Sequence, residues 1–242
     1  RYGQLLETPW GVAAGPQTQL SQNLLVAWLV GARYLELKTV QTLDEIAVSK
    51  PCIDMEDVGY NCEWSQELKL DEAYREYLNA WILIHIVQQE LGLTRNDGEL
   101  GCIFNMSAGY NMEGLLASNT QRFLHAMMGS PEGQAEYERA MQILEPLYPR
   151  VRALRIPVAL TNNITLSTMH GCPPAEIERI GAYLIGSLKL HTTVKLNPTL
   201  NGPEVLRDIL NRKLGYTRID VPDTAFAHDL KWPDAVRLVR TL

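Results

Sequence analysis

Strand-like and helix-like segments alternate along this chain with no hairpin signal between them, and that order narrows the fold more than any other feature. Gly11 to Ala14 is a short apolar run closed by Gly15-Pro16. A helical stretch follows from about Gln19 to Val30 and ends at Gly31, a helix-stop residue. Tyr34 to Lys38 alternates as a strand does and leads into a long polar loop through Trp64. Tyr74, Tyr77, Leu78 and Trp81 recur at helical spacing and predict a helix to about Leu91. Cys102 to Met106 reads as a strand, Asn111 to Met128 and Glu136 to Leu147 as helices, and Val158 to Leu166 as a β-branched strand. Pro173-Pro174 open a helix to about Leu188. Thr192 to Leu196 is a strand, Pro203 to Asn211 a helix, Arg218 to Val221 a strand, and a last helix begins near Pro233. Strands separated by helices pair in parallel. About six strands are expected, against eight for a closed barrel. A doubly wound open sheet suits six strands equally well, so topology alone leaves both open.

At 242 residues the chain has about the length of one (β/α) barrel. It shows no repeat, low-complexity tract or internal linker, so residues 1–242 are expected to form a single barrel-type domain, truncated at its C-terminus inside the helical pattern that reaches Leu242. A net charge of −6 argues against nucleic acid as a partner, because neutralising phosphates needs a basic surface. No apolar run approaches the ~20 residues of a membrane helix, and no secretory signal opens the chain. The four cysteines, Cys52, Cys62, Cys102 and Cys172, form no CxxC pair, which points to reduced thiols and a cytoplasmic protein. His170-Gly-Cys172 lacks a second pair at metal-site spacing, so no metal site is expected.

Parallel α/β folds gather their chemistry at the C-terminal ends of strands. Four strand ends here carry unusual residues: Ala14-Gly15-Pro16, Lys38-Thr39, Asn105-Met106-Ser107 and Lys195-Leu196-Asn197-Pro198. A fifth, Thr165-Leu166-Ser167, runs into Thr168-Met169-His170-Gly171-Cys172-Pro173-Pro174. Lys38 shares a strand face with Glu36, and Lys195 with Thr193 and Asn197. The plain alternative pairs Lys38 with Glu36 and lets Lys195 snorkel to solvent. Two inward lysines beside amides and hydroxyls would instead suit a polar cofactor, and this reading expects them to converge on one pocket. Cys172 precedes a proline and therefore sits just ahead of a helix, whose positive end favours a thiolate. A general acid/base or nucleophile and a half-buried loop cysteine are both open for it. His170 could tune that thiol or be an ordinary hydrogen-bonded loop residue. His85 and His125 read as packing or surface residues, and His228-Asp229 follows the sixth expected strand. Gly15 and Gly109 could allow close backbone approach to a ligand. The chain carries neither GxGxxG nor a P-loop.

The segments TPWGVAAGPQTQ, ELKTVQTLDE, KPCIDMEDVGYNCEWS, FNMSAGYNMEG, TLSTMHGCPPAEIE and TVKLNPTL resemble the amino-terminal region of the selenate reductase subunit family. Those large flavoproteins join a dihydroorotate dehydrogenase-like barrel to iron–sulfur and FAD/NAD(P)H-binding modules related to the glutamate synthase small subunit. The resemblance runs from Thr8 to Trp232. More distantly, the same segments are similar to the FMN barrel of dihydropyrimidine dehydrogenase.

The second resemblance implies an α/β fold of (β/α)8 TIM-barrel type, here incomplete, and it implies site residues. Lys38, Asn111 and Lys195 resemble flavin-contacting residues, and Ala13, Ala14 and Gly15 would pass under the isoalloxazine. Asn197 and His170 would face substrate, and Cys172 would move a proton opposite the flavin. The distant family has its cysteine directly after the strand-end serine, whereas TMHG separates Ser167 from Cys172, and Thr165 replaces an asparagine. FMN phosphate in such barrels is held after strands 7 and 8, a region outside this sequence. FAD, iron–sulfur and NAD(P)H are expected on a larger parent protein, whose redox modules are the expected partners beside a small cyclic-amide substrate. A flavin-dependent oxidoreductase domain is the leading expectation. A non-catalytic docking barrel and a flavin-free lyase forming a Schiff base at Lys195 or Lys38 are the alternatives. The exposed strand edges of an incomplete barrel are expected either to drive self-association or to be capped by rearranged helices.

Overall fold

The computed structural model of the chain describes residues 1–38, 68–93, 99–109, 111–167, 173–227 and 229–242. Five strands follow one another in one sheet in chain order: β1 (Gly11–Val12), β2 (Tyr34–Glu36), β3 (Ile103–Ala108), β4 (Asn163–Ser167) and β5 (His191–Lys195). β1 pairs in parallel with β2, and β2 with β3, in a register that sets Glu36 opposite Asn105. Eight α-helices accompany them, α1 (Ser21–Leu29), α2 (Leu70–Glu90), α3 (Met112–Leu116), α4 (Ser118–Met127), α5 (Pro131–Leu144), α6 (Pro174–Ala182), α7 (Pro203–Arg207) and α8 (Trp232–Thr241). An α/β fold with a parallel sheet is what the alternating segments predict. The described residues divide into two compact units, residues 1–108 with 114–164 and residues 109–113 with 165–242, and the division falls inside β4.

In the first unit the alternation of YLELK and of the β3 sequence separates two faces. Leu35, Leu37, Phe104 and Met106 are buried on one. The Trp81 ring of α2 meets Phe104 edge-on at 5.1 Å, so this face is covered by helix. Tyr77, Leu78, Ala80, Ile82 and Ile84 complete the buried stripe of α2. The Lys69 amide donates to the Glu72 carboxylate at 2.9 Å, fixing the helix start. Trp81 donates its indole N–H to the Pro157 carbonyl at 2.9 Å, so the ring is buried without stranding its polar atom. α5 begins at Pro131 with Ser130 as its cap. Gly133 there lies so close to α4 that a Cβ would fall 2.6 Å from the Ala126 carbonyl oxygen.

In the second unit α6 packs against α8, burying Ile177, Ile180, Ala235 and Leu238. The Leu242 side chain fills the space over Gly181. α6 continues as a wider turn, Tyr183–Ser187, whose i→i+5 bonding ends with Leu188 N–H to Tyr183 O at 3.1 Å.

Four sequence expectations are corrected. Arg218–Val221 is not a strand. Asn211 donates its side-chain amide to the Tyr216 and Ile219 carbonyls, and Arg207 donates to Val221 O, so side chains satisfy this backbone in place of a ladder. Among the described residues five strands therefore stand where about six were expected. The strand predicted from Val158 begins only at Asn163, because Thr161 forms a side-chain turn with the Asn163 backbone at 3.1 Å. The helix predicted over Asn111–Met128 is broken at the extended Ala117, where Gln121 donates to the Leu115 carbonyl at 2.6 Å. The helix predicted from Glu136 starts at Pro131 and stops at Leu144. Among the described residues no helix is long and apolar enough to cross a membrane.

Candidate functional site at the strand ends

In the first unit, the sheet face opposite the helices is polar toward the strand ends. Glu36 and Lys38 project from β2 and its extension, and the register brings Asn105 and Ser107 of β3 to the same face. Lys38 is 7 % exposed, Asn105 0 % and Ser107 8 %. A barrel interior is ordinarily filled by branched aliphatic side chains, so a lysine, an amide and a hydroxyl buried here require a chemical reason.

The loop after β1 closes over this face. Gly15 and Thr18 hold each other: the Thr18 amide donates to Gly15 O at 2.9 Å, and the Gly15 amide donates to Thr18 Oγ1 at 3.1 Å. The exposed Gln17 side chain folds back over Gly15, its amide oxygen 2.4 Å from where a Gly15 Cβ would lie. Gln17 donates to the Ala13 carbonyl at 3.2 Å. The loop is tied to β2 twice, by the Ala14 amide to Glu36 Oε2 at 3.4 Å and by the Lys38 amide to Thr18 O at 3.5 Å. From the helix side, the buried Tyr77 hydroxyl donates to the Lys38 carbonyl at 3.0 Å. Ala13, Ala14, Gly15 and Lys38, four of the residues singled out from sequence, are thus linked through hydrogen bonds to Gln17, Glu36 and Thr18 at the β1 and β2 ends.

Among the described residues, the buried polar atoms here that meet no hydrogen-bond partner include Glu36 Oε1 and Gln19 Nε2. Gln19 is 2 % exposed. Leaving such an atom unsatisfied costs about 1–3 kcal/mol, and both lie within one loop and one strand end. Glu36 was legible as the face-mate of Lys38. Gln19 was not, because it reads as the first residue of a helix, whereas it ends the turn before Leu20 and is buried by tertiary packing.

In the second unit, Asn111 is exposed directly before α3, where the Met112 amide donates to Glu176 Oε1 at 2.8 Å. Lys195 is exposed at the end of β5, and Asn197 is half-buried beyond it. The Asn197 carbonyl accepts from Leu200 at 3.1 Å, opening the turn Pro198–Asn201. Thr199 of that turn donates to the buried Asp229 carboxylate. His170 and Cys172 lie outside the described residues, as do Cys52, Cys62 and His228. Cys102 is buried and unbridged, and burial pushes its thiol up to about 12. It packs and does no thiolate chemistry at neutral pH. His85, its Nδ1 2.8 Å from the Trp81 carbonyl, has its pKa lowered by burial, as a packing residue does.

A cavity of about 450 Å³ opens elsewhere in the first unit, among α2, α4 and α5. Its carboxylates are already engaged, Asp71 by Arg75, Glu136 by Arg139 and Glu132 by the Ser130 hydroxyl. No described strand residue lines it. It is a cleft between helices rather than a strand-end site.

Residues 1–242 match the family model described as the N-terminal TIM-barrel domain of oxidoreductase YgfK. The chain is 41% identical over 257 residues to the "Putative oxidoreductase YgfK" of Escherichia coli (strain K12), and to the same degree to the protein of that name in Escherichia coli O157:H7. Each match covers 100% of this chain and 25% of the relative, so the chain spans about a quarter of the length of the curated relatives it matches. No solved structure matches it significantly. A parallel α/β sheet with a polar strand-end face agrees with that match, and the chain belongs to the family of N-terminal TIM-barrel domains of the YgfK oxidoreductases.

Proposed function

We propose that this domain is the flavin-binding, substrate-transforming part of a larger oxidoreductase and that its cofactor is FMN. The observation that carries the reading is the buried polar face at the β1–β3 ends. Lys38, Asn105 and Ser107 are buried there beside two orphaned polar atoms, Glu36 Oε1 and Gln19 Nε2. Such a set suits a flat, polar, partly anionic ring system better than it suits an aliphatic core. A flavin, when bound, supplies two-electron transfer between the domain's substrate and the rest of the enzyme.

The chain's own residues then have these tasks. Ala13, Ala14 and Gly15 offer a backbone surface without bulky side chains, held in place by the Gly15–Thr18 turn. Lys38, fixed through its carbonyl by Tyr77, supplies a positive charge that favours an anionic ring. The resemblance to the FMN barrel of dihydropyrimidine dehydrogenase assigns flavin contacts to Asn111 and Lys195 and substrate contacts to Asn197 and His170. Cys172 is assigned to proton transfer with substrate by the same resemblance, and in sequence it directly precedes Pro173-Pro174. The substrate proposed is a small planar cyclic amide of pyrimidine or purine type. The resemblance to the selenate reductase subunit family leads us to place iron–sulfur, FAD and NAD(P)H sites on the remaining three-quarters of the protein, and the whole in the cytoplasm.

The test uses the intact parent protein. Purified protein should show a flavin absorbance spectrum and release FMN on denaturation, and Cys172→Ser should keep the flavin while losing most turnover. Stoichiometric FAD with no FMN, and no FMN uptake by the stripped protein, would refute the assignment.

A further inference from the structure

The two orphaned atoms at the β1–β2 end are opposite in hydrogen-bonding sense. Glu36 Oε1 can only accept and needs an N–H; Gln19 Nε2 can only donate and needs a carbonyl oxygen. The two needs are complementary, and neither is met within the described residues. The other Glu36 oxygen is committed to the Ala14 amide, which fixes the carboxylate against the loop that carries Gln19. That loop is itself fixed, by the Gly15–Thr18 bonds and by Thr18 O accepting from Lys38 N. The loop and the strand end that carry the two groups are thus joined by hydrogen bonds, while the groups themselves present unmet and complementary needs, as recognition groups do.

We propose that Gln19 and Glu36 form a clamp for an imide edge, the Glu36 carboxylate accepting from a ring N–H and the Gln19 amide donating to an adjacent ring carbonyl. The proposal rests on the reading of this strand end as the ligand site, and it adds the chemistry that is recognised. A ring –CO–NH–CO– edge occurs both on a flavin's pyrimidine ring and on a cyclic-amide substrate such as uracil. The clamp rejects an N-methylated edge, because the methyl group removes the donor and places carbon against a buried carboxylate. A site built around a buried polar group discriminates strongly against a ligand that cannot pair with it.

Two probe pairs separate the sources: FMN against 3-methyl-FMN on the flavin-stripped intact protein, and uracil against 3-methyluracil, each by titration calorimetry. In the wild type one pair should differ by roughly 10- to 100-fold in Kd. Glu36→Met should bring that ratio close to one, whereas Glu36→Gln, whose amide oxygen still accepts, should keep part of it. Gln19→Met should weaken the unmethylated ligand about ten-fold with little effect on the ratio. Discrimination in the FMN pair assigns the clamp to cofactor, and in the uracil pair to substrate. FMN binding with no discrimination in either pair, as when water alone meets the two groups, overturns the clamp and leaves the flavin reading standing. Uracil discrimination without FMN binding keeps the clamp and removes the flavin. Binding of neither pair overturns both. The wild-type ratios decide the matter even if a variant fails to fold.

Discussion

Tyr77→Phe isolates one link between the helix layer and the strand-end site. The change removes a single oxygen from a side chain that is 0 % exposed and leaves the ring free to keep its edge-on contact with Phe123 at 6.3 Å. What is lost is the 3.0 Å bond from the hydroxyl to the Lys38 carbonyl. Losing a buried hydrogen bond of this kind costs about 1–3 kcal/mol. For a domain of this size that corresponds to a fall in Tm of roughly 2–12 °C. Urea unfolding of wild type and variant, followed by tryptophan fluorescence, should show a lower midpoint with an unchanged slope. The Lys38 backbone should loosen with it, so FMN affinity of the intact protein should fall several-fold more than in a surface control such as Arg139→Ala. A variant within about 0.3 kcal/mol of wild type, with unaltered FMN affinity, would show that Tyr77 does not hold Lys38 and would refute the reasoning.

Cys102 should resist alkylation in the native protein, as read by peptide mass spectrometry after iodoacetamide, because burial raises its thiol from 9.0 to about 12. Above pH 9 the unfolded thiol loses its proton while the folded one keeps it. The wild type should therefore lose stability as pH rises toward 12, by up to about 1.4 kcal/mol per pH unit from this group. Cys102→Ala, less stable at neutral pH, should lose correspondingly less over that window. Gly133→Ala should destabilise the chain by about 1–3 kcal/mol, since its Cβ would meet the Ala126 carbonyl at 2.6 Å; an unchanged urea midpoint would mean that α4 and α5 separate at little cost.

How much of this was legible depends on whether an element is decided locally. YLELK announces both its period and its two faces, and the structure buries Leu35 and Leu37 on one and carries Glu36 and Lys38 on the other. The helical spacing of Tyr74, Tyr77, Leu78 and Trp81 likewise survives intact in α2. Arg218–Val221 has an acceptable strand composition, but a strand needs a neighbour, and Asn211 and Arg207 satisfy that backbone instead. No local pattern reports on that competition. Gln19 failed for a related reason: a glutamine before a leucine-rich helix is usually solvated, and only the folding of Gly15–Thr18 over β2 buries it. The lysine at the end of β2 proves buried and the one at the end of β5 exposed, although both sit at strand ends beside polar residues.

The polarity of the inner sheet face changes along the strands, and this change bears most directly on function. On β2 the sequence on that face runs Tyr34, Glu36, Lys38, and on β3 it runs Ile103, Asn105, Ser107. The apolar or aromatic residue comes first and the charged or amide-bearing ones follow toward the C-terminal end. Burying those later side chains lowers stability relative to aliphatics of equal volume. A sequence selected for packing alone would have continued the pattern of Ile103. Asn163, polar at the start of β4, does not break the trend. Its backbone and side-chain N–H groups donate to Thr161 and Asn162 where the chain turns into the strand, although its buried Oδ1 meets no partner among the described residues. The gradient thus divides β2 and β3 each into a part that holds the fold and a part that gives up stability to present Glu36, Lys38, Asn105 and Ser107 at one end. That is the arrangement by which one parallel scaffold supports chemistry at its strand ends.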